Sequence, residues 1–254
     1  MRVTVTQLSD GTPESEWAAL GEHCAENRPD LVLLPEMPFD HWLAATDQVD
    51  ETRWQAAAFR HYKWLSRFGE LAGAAVAGSR PVDADGTPHN AAFTWSEDAG
   101  HASPHIKYYL PDEPGFWEAR WYRRAPEKSF REHSFAGART GFMICTDMWF
   151  TEHARSYAQQ GVDLLLVPRA TPAVSDAKWL AGGRTAAVMA GAFCLSSNRQ
   201  GITEGVMFGG TGWIIDPDGN VLATTTDQHP FATVEIDPSE AQAAKRTYPR
   251  YVAE

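Results

Sequence analysis

Hydrophobic and polar positions follow two different periods along this chain, and the switching between them predicts an α/β protein. The first segment, Val3-Thr4-Val5-Thr6-Gln7-Leu8, alternates apolar with polar residues and reads as an edge-like strand. Pro13-Glu14-Ser15-Glu16 has the proline and acids of a first helical turn, and Trp17, Leu20 and Cys24 then recur at helical spacing. Leu31-Val32-Leu33-Leu34 is apolar throughout, the pattern of a strand buried on both faces. A long helical stretch is expected over 49–71, followed by a strand at Ala74-Ala75-Val76-Ala77-Gly78-Ser79. Asp83-Ala84-Asp85-Gly86-Thr87 reads as a hairpin turn, with Asn90-Ala91-Ala92-Phe93-Thr94-Trp95 returning from it.

The second half repeats the alternation. A strand over 141–145 leads to a helix over 152–160 that Gly161 ends. Val162-Asp163-Leu164-Leu165-Leu166-Val167-Pro168 is another buried strand, 176–189 a helix, and Ala192-Phe193-Cys194-Leu195-Ser196-Ser197 a strand. A hairpin turning at Asp216-Pro217-Asp218-Gly219-Asn220 and a strand over 231–236 follow. Such alternation implies helices layered on a sheet, and the hairpins imply that the sheet is mixed. No linker-like or repeated segment interrupts 1–254, so a single domain is expected, with no room for a fused second activity. The stretch 243–254, rich in Lys, Arg and Tyr, reads as a tail suited to packing on a partner.

Composition narrows the function. A net charge of −11 makes nucleic acid and anionic membrane surfaces poor partners. No apolar run approaches the roughly 20 residues that span a bilayer. The first residues read as a strand rather than a signal peptide, and the 3 Cys are too scattered for a disulfide framework. Both favour a reducing cytoplasm. The 9 His form no metal motif, and neither Gly182-Gly183 nor the glycines over 205–212 have phosphate-loop spacing. A serine triad lacks its Gly-x-Ser-x-Gly elbow.

Three segments place an ionisable group after apolar residues, where ligands bind in α/β sheets. Glu36, held between Pro35 and Pro38 in a stiff loop, is a candidate general base; its other reading is a capping or solvated acid. Lys107, among Ile106, Tyr108 and Tyr109, is either a fixed charge beside an oxyanion or a snorkelling lysine. Cys145 closes the run Gly141-Phe142-Met143-Ile144 and opens a polar, aromatic turn. That is the position of a nucleophile, although a free cysteine is also an ordinary small hydrophobe. Cys24 and Cys194 fit the second description.

Together these segments resemble the nitrilase superfamily of carbon–nitrogen hydrolases, in which Glu, Lys and Cys come in this order. Leu33-Leu34-Pro35-Glu36 resembles the glutamate motif. Lys107 with Pro111-Asp112-Glu113-Pro114-Gly115-Phe116-Trp117-Glu118-Ala119-Arg120-Trp121-Tyr122 resembles the lysine motif, particularly of branches that hydrolyse N-carbamoyl compounds. Cys145-Thr146-Asp147-Met148-Trp149 resembles the cysteine motif, and Ser197-Asn198-Arg199 also fits.

The resemblance implies a four-layer α-β-β-α sandwich with two mixed sheets. It implies a cysteine acyl-enzyme formed by Cys145 with Glu36 as base and Lys107 at the oxyanion, and no metal or organic cofactor. Glu118 matches the family's second glutamate, with Glu113 as competitor. The expected substrate is a small molecule carrying an amide or N-carbamoyl group. A nitrile is the alternative, although the Cys-Trp-Glu form associated with nitrilases is missing. Acyl transfer to an amine and a noncatalytic scaffold of the same fold are further readings, the latter opposed by the intact Glu36, Lys107 and Cys145.

Homo-oligomers are also implied, a dimer across the helix near Arg155 above all. The chain departs from the family pattern at Thr146 and Arg169, which are expected to line the pocket and to set the substrate. Arg169 would pair either with a substrate carboxylate or with a local acid such as Asp147 or Glu118. Trp117, Trp121 and Trp149 are either an aromatic wall of the site or packing residues.

Overall fold

The computed structural model describes residues 1–252; Ala253 and Glu254, part of the proposed tail, lie outside the described residues. In chain order the first half holds β1 (Arg2–Ser9), α1 (Glu14–Asn27), β2 (Leu31–Glu36), α2 (Glu51–Trp64), β3 (Ala75–Ala84), β4 (Thr87–Ser96) and β5 (Gly100–Ala102). Next come α3 (Glu118–Trp121), β6 (His133–Phe135), β7 (Ala138–Phe142), α4 (Glu152–Gln159), β8 (Leu164–Arg169) and α5 (Asp176–Ala190). The chain continues with β9 (Phe193–Thr203), β10 (Val206–Gly209), β11 (Trp213–Ile215), β12 (Val221–Thr224), β13 (Phe231–Glu235) and α6 (Pro238–Ala244).

The strands join in one mixed, hydrogen-bonded path, β5-β4-β3-β2-β1-β9-β8-β7-β6, with β13 on β1 and β11 between β9 and β12. The first half of β1 pairs parallel with β2 (Val3 opposite Leu31) and antiparallel with β13 (Val3 opposite Val234). Its last residues pair instead with β9, Gln7 opposite Asn198. The sheet therefore curls at β1, and its two halves share a core. Val3, Val5, Leu31 and Leu33 from one half belong to the same apolar cluster as Leu164, Leu166 and Leu195 from the other. On the outer face of the first half, Val32 and Leu34 pack with Trp17, Leu20 and Cys24 of α1. Ala154 and Tyr157 of α4 and Ala186, Ala187 and Ala190 of α5 cover the second half. β2 is thus apolar on both faces, as its unbroken hydrophobic run predicts.

Three expectations change. β1 is a central strand, not an edge strand. Its polar positions misled because each finds a partner inside: Thr4 Oγ1 lies 2.7 Å from Thr233 Oγ1, and Thr6 Oγ1 donates to the Leu33 carbonyl at 3.1 Å. The expected helix over 49–71 is α2, capped by Asp50, followed by a 3-10 turn, Leu65–Glu70. The strand before Cys145 stops at Phe142, and Cys145 begins a 3-10 turn, Cys145–Trp149. The short strands β5, β6 and β10 have too few residues for a visible alternation.

The tail folds back on its own chain. Arg250 Nε donates to the Ala244 carbonyl at 2.9 Å, and Arg155 Nη1 on α4 donates to the Arg250 carbonyl at 2.9 Å. No helix among the described residues is long and apolar enough to cross a membrane.

Leu166 sits between β7 and β9 and is fully buried, whereas Val174 is 97% exposed. Leu166→Ala is expected to cost about 2–5 kcal/mol in urea unfolding, because it removes contacts and leaves a cavity. Val174→Ala should stay within about 0.5 kcal/mol.

Candidate active site

The carboxyl ends of β2 and β7 and the chain before α3 converge on one buried cluster. Glu36 is the last residue of β2, and the next residue, Met37, has φ +46°, so the chain turns away and leaves the carboxylate behind. Lys107 follows the bridge between Ala91 and Ile106, and its backbone N–H donates to the Asn90 carbonyl at 2.9 Å. Glu118 opens α3. All three side chains are fully buried.

Lys107 Nζ donates to Glu36 Oε1 at 2.8 Å and to Glu118 Oε2 at 2.5 Å. Asn90 Nδ2 donates to the same Glu36 oxygen at 2.6 Å, and the Tyr122 hydroxyl donates to Glu118 Oε2. The second oxygens, Glu36 Oε2 and Glu118 Oε1, are buried and have no hydrogen-bond partner among the described residues. Each carboxylate thus keeps one acceptor oxygen without a protein donor, which burial makes costly. Asn90 and Tyr122 escaped sequence reasoning. Asn90 sits inside a strand pattern, and Tyr122 is one aromatic among several in its segment.

Electrostatics bind the cluster together. Burial disfavours the Lys107 ammonium, but the charges of Glu118 and Glu36 outweigh it and hold the lysine protonated well above its usual range. Burial, opposed by Lys107 and reinforced by Glu36, raises Glu118 to about 7. Burial and the charge of Glu36 push the Cys145 thiol up, while Lys107 acts the other way. Burial therefore favours the neutral thiol at rest.

Cys145 occupies a left-handed backbone position, φ +48°, which is uncommon for a side chain other than Gly, Asn or Asp. Asp147 sustains it. The buried Asp147 carboxylate accepts the N–H groups of Ile144, Tyr108 and Tyr109 at 3.2, 3.2 and 3.0 Å, and lies 2.9 Å from His105 Nε2. One side chain thus fixes the turn of Cys145 and the segment of Lys107 together.

The thiol opens on a cleft of about 240 Å3. Glu118, Thr146, Trp149, Ala170, Thr171 and Trp179 line it with Cys145. Trp149 and Trp179 meet at 5.1 Å between ring centroids. Gly182 on α5 allows this wall, because a Cβ there would come within 3.0 Å of Trp149 and Met148.

Of the positions expected to line the pocket, Thr146 and Trp149 do so. Trp117 and Arg169 are not among the lining residues. Trp117, between the lining residues Phe116 and Glu118, stacks instead with the Arg120 guanidinium, 4.2 Å from its ring centroid. Trp121 is buried and donates to the Thr46 carbonyl at 2.6 Å. The Arg169 guanidinium lies over Trp213 at 3.8 Å and donates to Ser196 Oγ, Thr171 Oγ1 and the Thr211 carbonyl at 2.7, 2.7 and 2.6 Å. Its hydrogen bonds thus go to neither Asp147 nor Glu118. Because Arg169 ends β8 beside β9, its side chain is drawn into the sheet layer, and Thr171 stands between it and the cleft.

The carbon-nitrogen hydrolase family model matches residues 7–246. The chain belongs to the carbon-nitrogen hydrolase family. N-carbamoylputrescine amidase of Arabidopsis thaliana is 26% identical over 216 residues, 78% of this chain and 72% of that protein. A carbon-nitrogen hydrolase from Helicobacter pylori G27 superposes with a TM-score of 0.87 at 22% identity, over 99% of this chain and 94% of the other. An amidase of the nitrilase superfamily from Nesterenkonia sp. AN1, which carries a covalent acrylamide adduct on its active-site cysteine, gives a TM-score of 0.77 at 21% identity, over 95% of each chain. This carbon-nitrogen hydrolase thus has the nitrilase-superfamily fold, and its curled mixed sheet is that of these neighbours.

Glu118 supplies a pH dependence with a definite sign. Because its folded value is raised to about 7 from an ordinary 4.5, the native state holds an extra proton between these values. Folding stability therefore falls as pH rises through this window. Urea titrations of Glu118→Gln at pH 5 and pH 7 should lack this component, so the difference between the two pH values is expected to shift relative to wild type.

Proposed function

We propose that this carbon-nitrogen hydrolase cleaves the C–N bond of an amide or N-carbamoyl group in a small molecule through a cysteine acyl-enzyme. The observation that carries the reading is the lysine-bridged carboxylate pair, one member of which, Glu118, lines the same cleft as Cys145. A thiol near neutral pH needs a base, and an oxyanion needs a fixed cation; the cluster holds both within buried surroundings that strengthen their fields.

In this mechanism the Cys145 thiol gives its proton to Glu36 as sulfur bonds to the carbonyl carbon. The carbonyl π electrons move to oxygen, and the Lys107 ammonium with the Thr146 N–H stabilises that oxyanion. Collapse breaks the C–N bond, and the nitrogen leaves as amine or ammonia with the proton from Glu36. Water, deprotonated by Glu36 with Glu118 beside it, then attacks the thioester, releases the acid and returns the proton to sulfur. The partnerless Glu36 Oε2 and Glu118 Oε1 suit these proton transfers, since each has an acceptor site to spare.

The relative acting on N-carbamoylputrescine supports a carbamoyl or amide substrate over a nitrile. The family match over 7–246 supports one functional domain over 1–254. The core shared by the two sheet halves, with α1 outside one and α4 and α5 outside the other, supports the four-layer α-β-β-α arrangement. A dimer across α4, where Arg155 lies, and a cytoplasmic setting complete the proposal.

Cys145→Ala is expected to abolish hydrolysis of an amide and carbamoyl panel while circular dichroism and unfolding midpoint stay near those of the parent. Cys145→Ser should be nearly as inactive, because a hydroxyl ionises far less readily than a thiol. Intact-protein mass spectrometry should show the acyl adduct on the parent alone; wild-type turnover by Cys145→Ala would exclude the mechanism.

A further inference from the structure

The hydroxyl of Tyr122 is a buried donor that the proposed bond-making does not use. Glu118 opens α3 and Tyr122 caps it, so the two side chains stand four residues apart on one helical turn. The Tyr122 N–H donates to the Glu118 carbonyl at 3.1 Å and closes that turn. The Tyr122 ring is buried, and its centroid lies 5.7 Å from that of Trp54 on α2. Its hydroxyl donates to Glu118 Oε2, the oxygen that also accepts from Lys107 Nζ at 2.5 Å.

An ionised carboxylate has about four lone-pair sites, two on each oxygen. Lys107 and Tyr122 fill both on Oε2. Oε1 is buried without a donor among the described residues, and Glu118 lines the cleft with Cys145. Glu36 repeats the pattern, with Lys107 and Asn90 on Oε1 and no donor on Oε2. The Lys107 ammonium is a point charge with rotatable donors and does not by itself choose between the two oxygens of Glu118. A phenol on a packed ring, aimed at one of them, does.

We propose that Tyr122 is a positioning residue: with Lys107 it closes Glu118 Oε2, so that Glu118 exchanges its proton with the cleft through Oε1. In the hydrolase reading above, on which this rests, the second carboxylate thereby gains a direction. The groups that face Glu118 are Lys107, Glu36, Tyr122 and Cys145. Burial raises Glu118 to about 7, opposed by the charge of Lys107 and reinforced by that of Glu36. Donation from Tyr122 also opposes the rise, because it favours the charged form. Among these contacts it is the one that a substitution can delete without removing a charge or a thiol, since phenylalanine keeps the ring.

The test is Tyr122→Phe, read by two titrations. In urea unfolding from pH 5 to pH 9, wild-type stability falls as pH rises until Glu118 has given up its proton. Tyr122→Phe should move the upper end of that fall about one pH unit higher, and Glu118→Gln, alone or combined with it, should lack the component. In the pH profile of kcat/KM on an amide or carbamoyl substrate, the acid limb should move up by the same amount. Activity would then be about tenfold below wild type at pH 6 and near wild type at pH 9. Trp54→Phe alters the packing of the same ring without touching the hydroxyl and should leave both titrations in place. A fluorinated tyrosine at 122 strengthens the donor and keeps the packing, so it should move both titrations downward; it decides the matter should Tyr122→Phe not fold. An unmoved unfolding titration or an unmoved rate limb would overturn the inference with the hydrolase reading intact. Absence of turnover on the whole panel, or turnover that survives Cys145→Ala, would instead overturn the hydrolase reading and the inference with it.

Discussion

The site depends on one buried ammonium. Lys107 carries the positive charge that lets Glu36 and Glu118 lie within reach of a single nitrogen, at 2.8 and 2.5 Å, in surroundings from which water is excluded. Two carboxylates without that cation would repel each other and draw protons from solution. With it, both carboxylates stay hydrogen-bonded to one nitrogen, while burial still holds Glu118 above the ordinary carboxylate range. Removing one member of such a group costs far more than the group gains over an apolar core, because a naked buried charge is left behind. The arrangement is therefore a constraint that the surrounding sheet must satisfy, and its use in the proposed chemistry explains why a fold would maintain it.

The scaffold meets that constraint by bringing strand ends together. β1 turns from one half of the sheet to the other, so the end of β2 and the loop after β7 face a common interior. Arg199, on β9, donates to the carbonyls of Glu36, Met37 and Asp40, which clamps the turn that delivers Glu36. Asp147 does the same for Cys145 and the Lys107 segment. These two side chains reach across the chain rather than along it. Neither takes part in the proposed bond-making, yet both determine where the reacting groups stand.

Much of this was legible in the chain. The apolar runs of β2 and β8 read as buried strands because their burial on both faces leaves no polar position to obscure the period. Glu36, Lys107, Glu118 and Cys145 stand out as candidates in the chain because motifs with matching flanks single out residues even when contacts are unknown. β1 reads as an edge in the sequence because Thr4 and Thr6 look solvated, whereas in the fold Thr233 and the Leu33 carbonyl satisfy them. Arg169 was drawn into the pocket by its place at a strand end, whereas packing over Trp213 turned it into the sheet.

The local sequence determined which residues could be strands, helices and reactive groups, because periodicity and motif are properties of neighbours along the chain. Only the tertiary structure decided how those groups meet. The contact of Lys107 with Glu36, the capture of Arg169 by Ser196 and Thr211, and the shared cleft of Glu118 and Cys145 join residues far apart in sequence. Hydrogen-bond geometry and burial are set by three-dimensional neighbours, and no linear spacing encodes them directly.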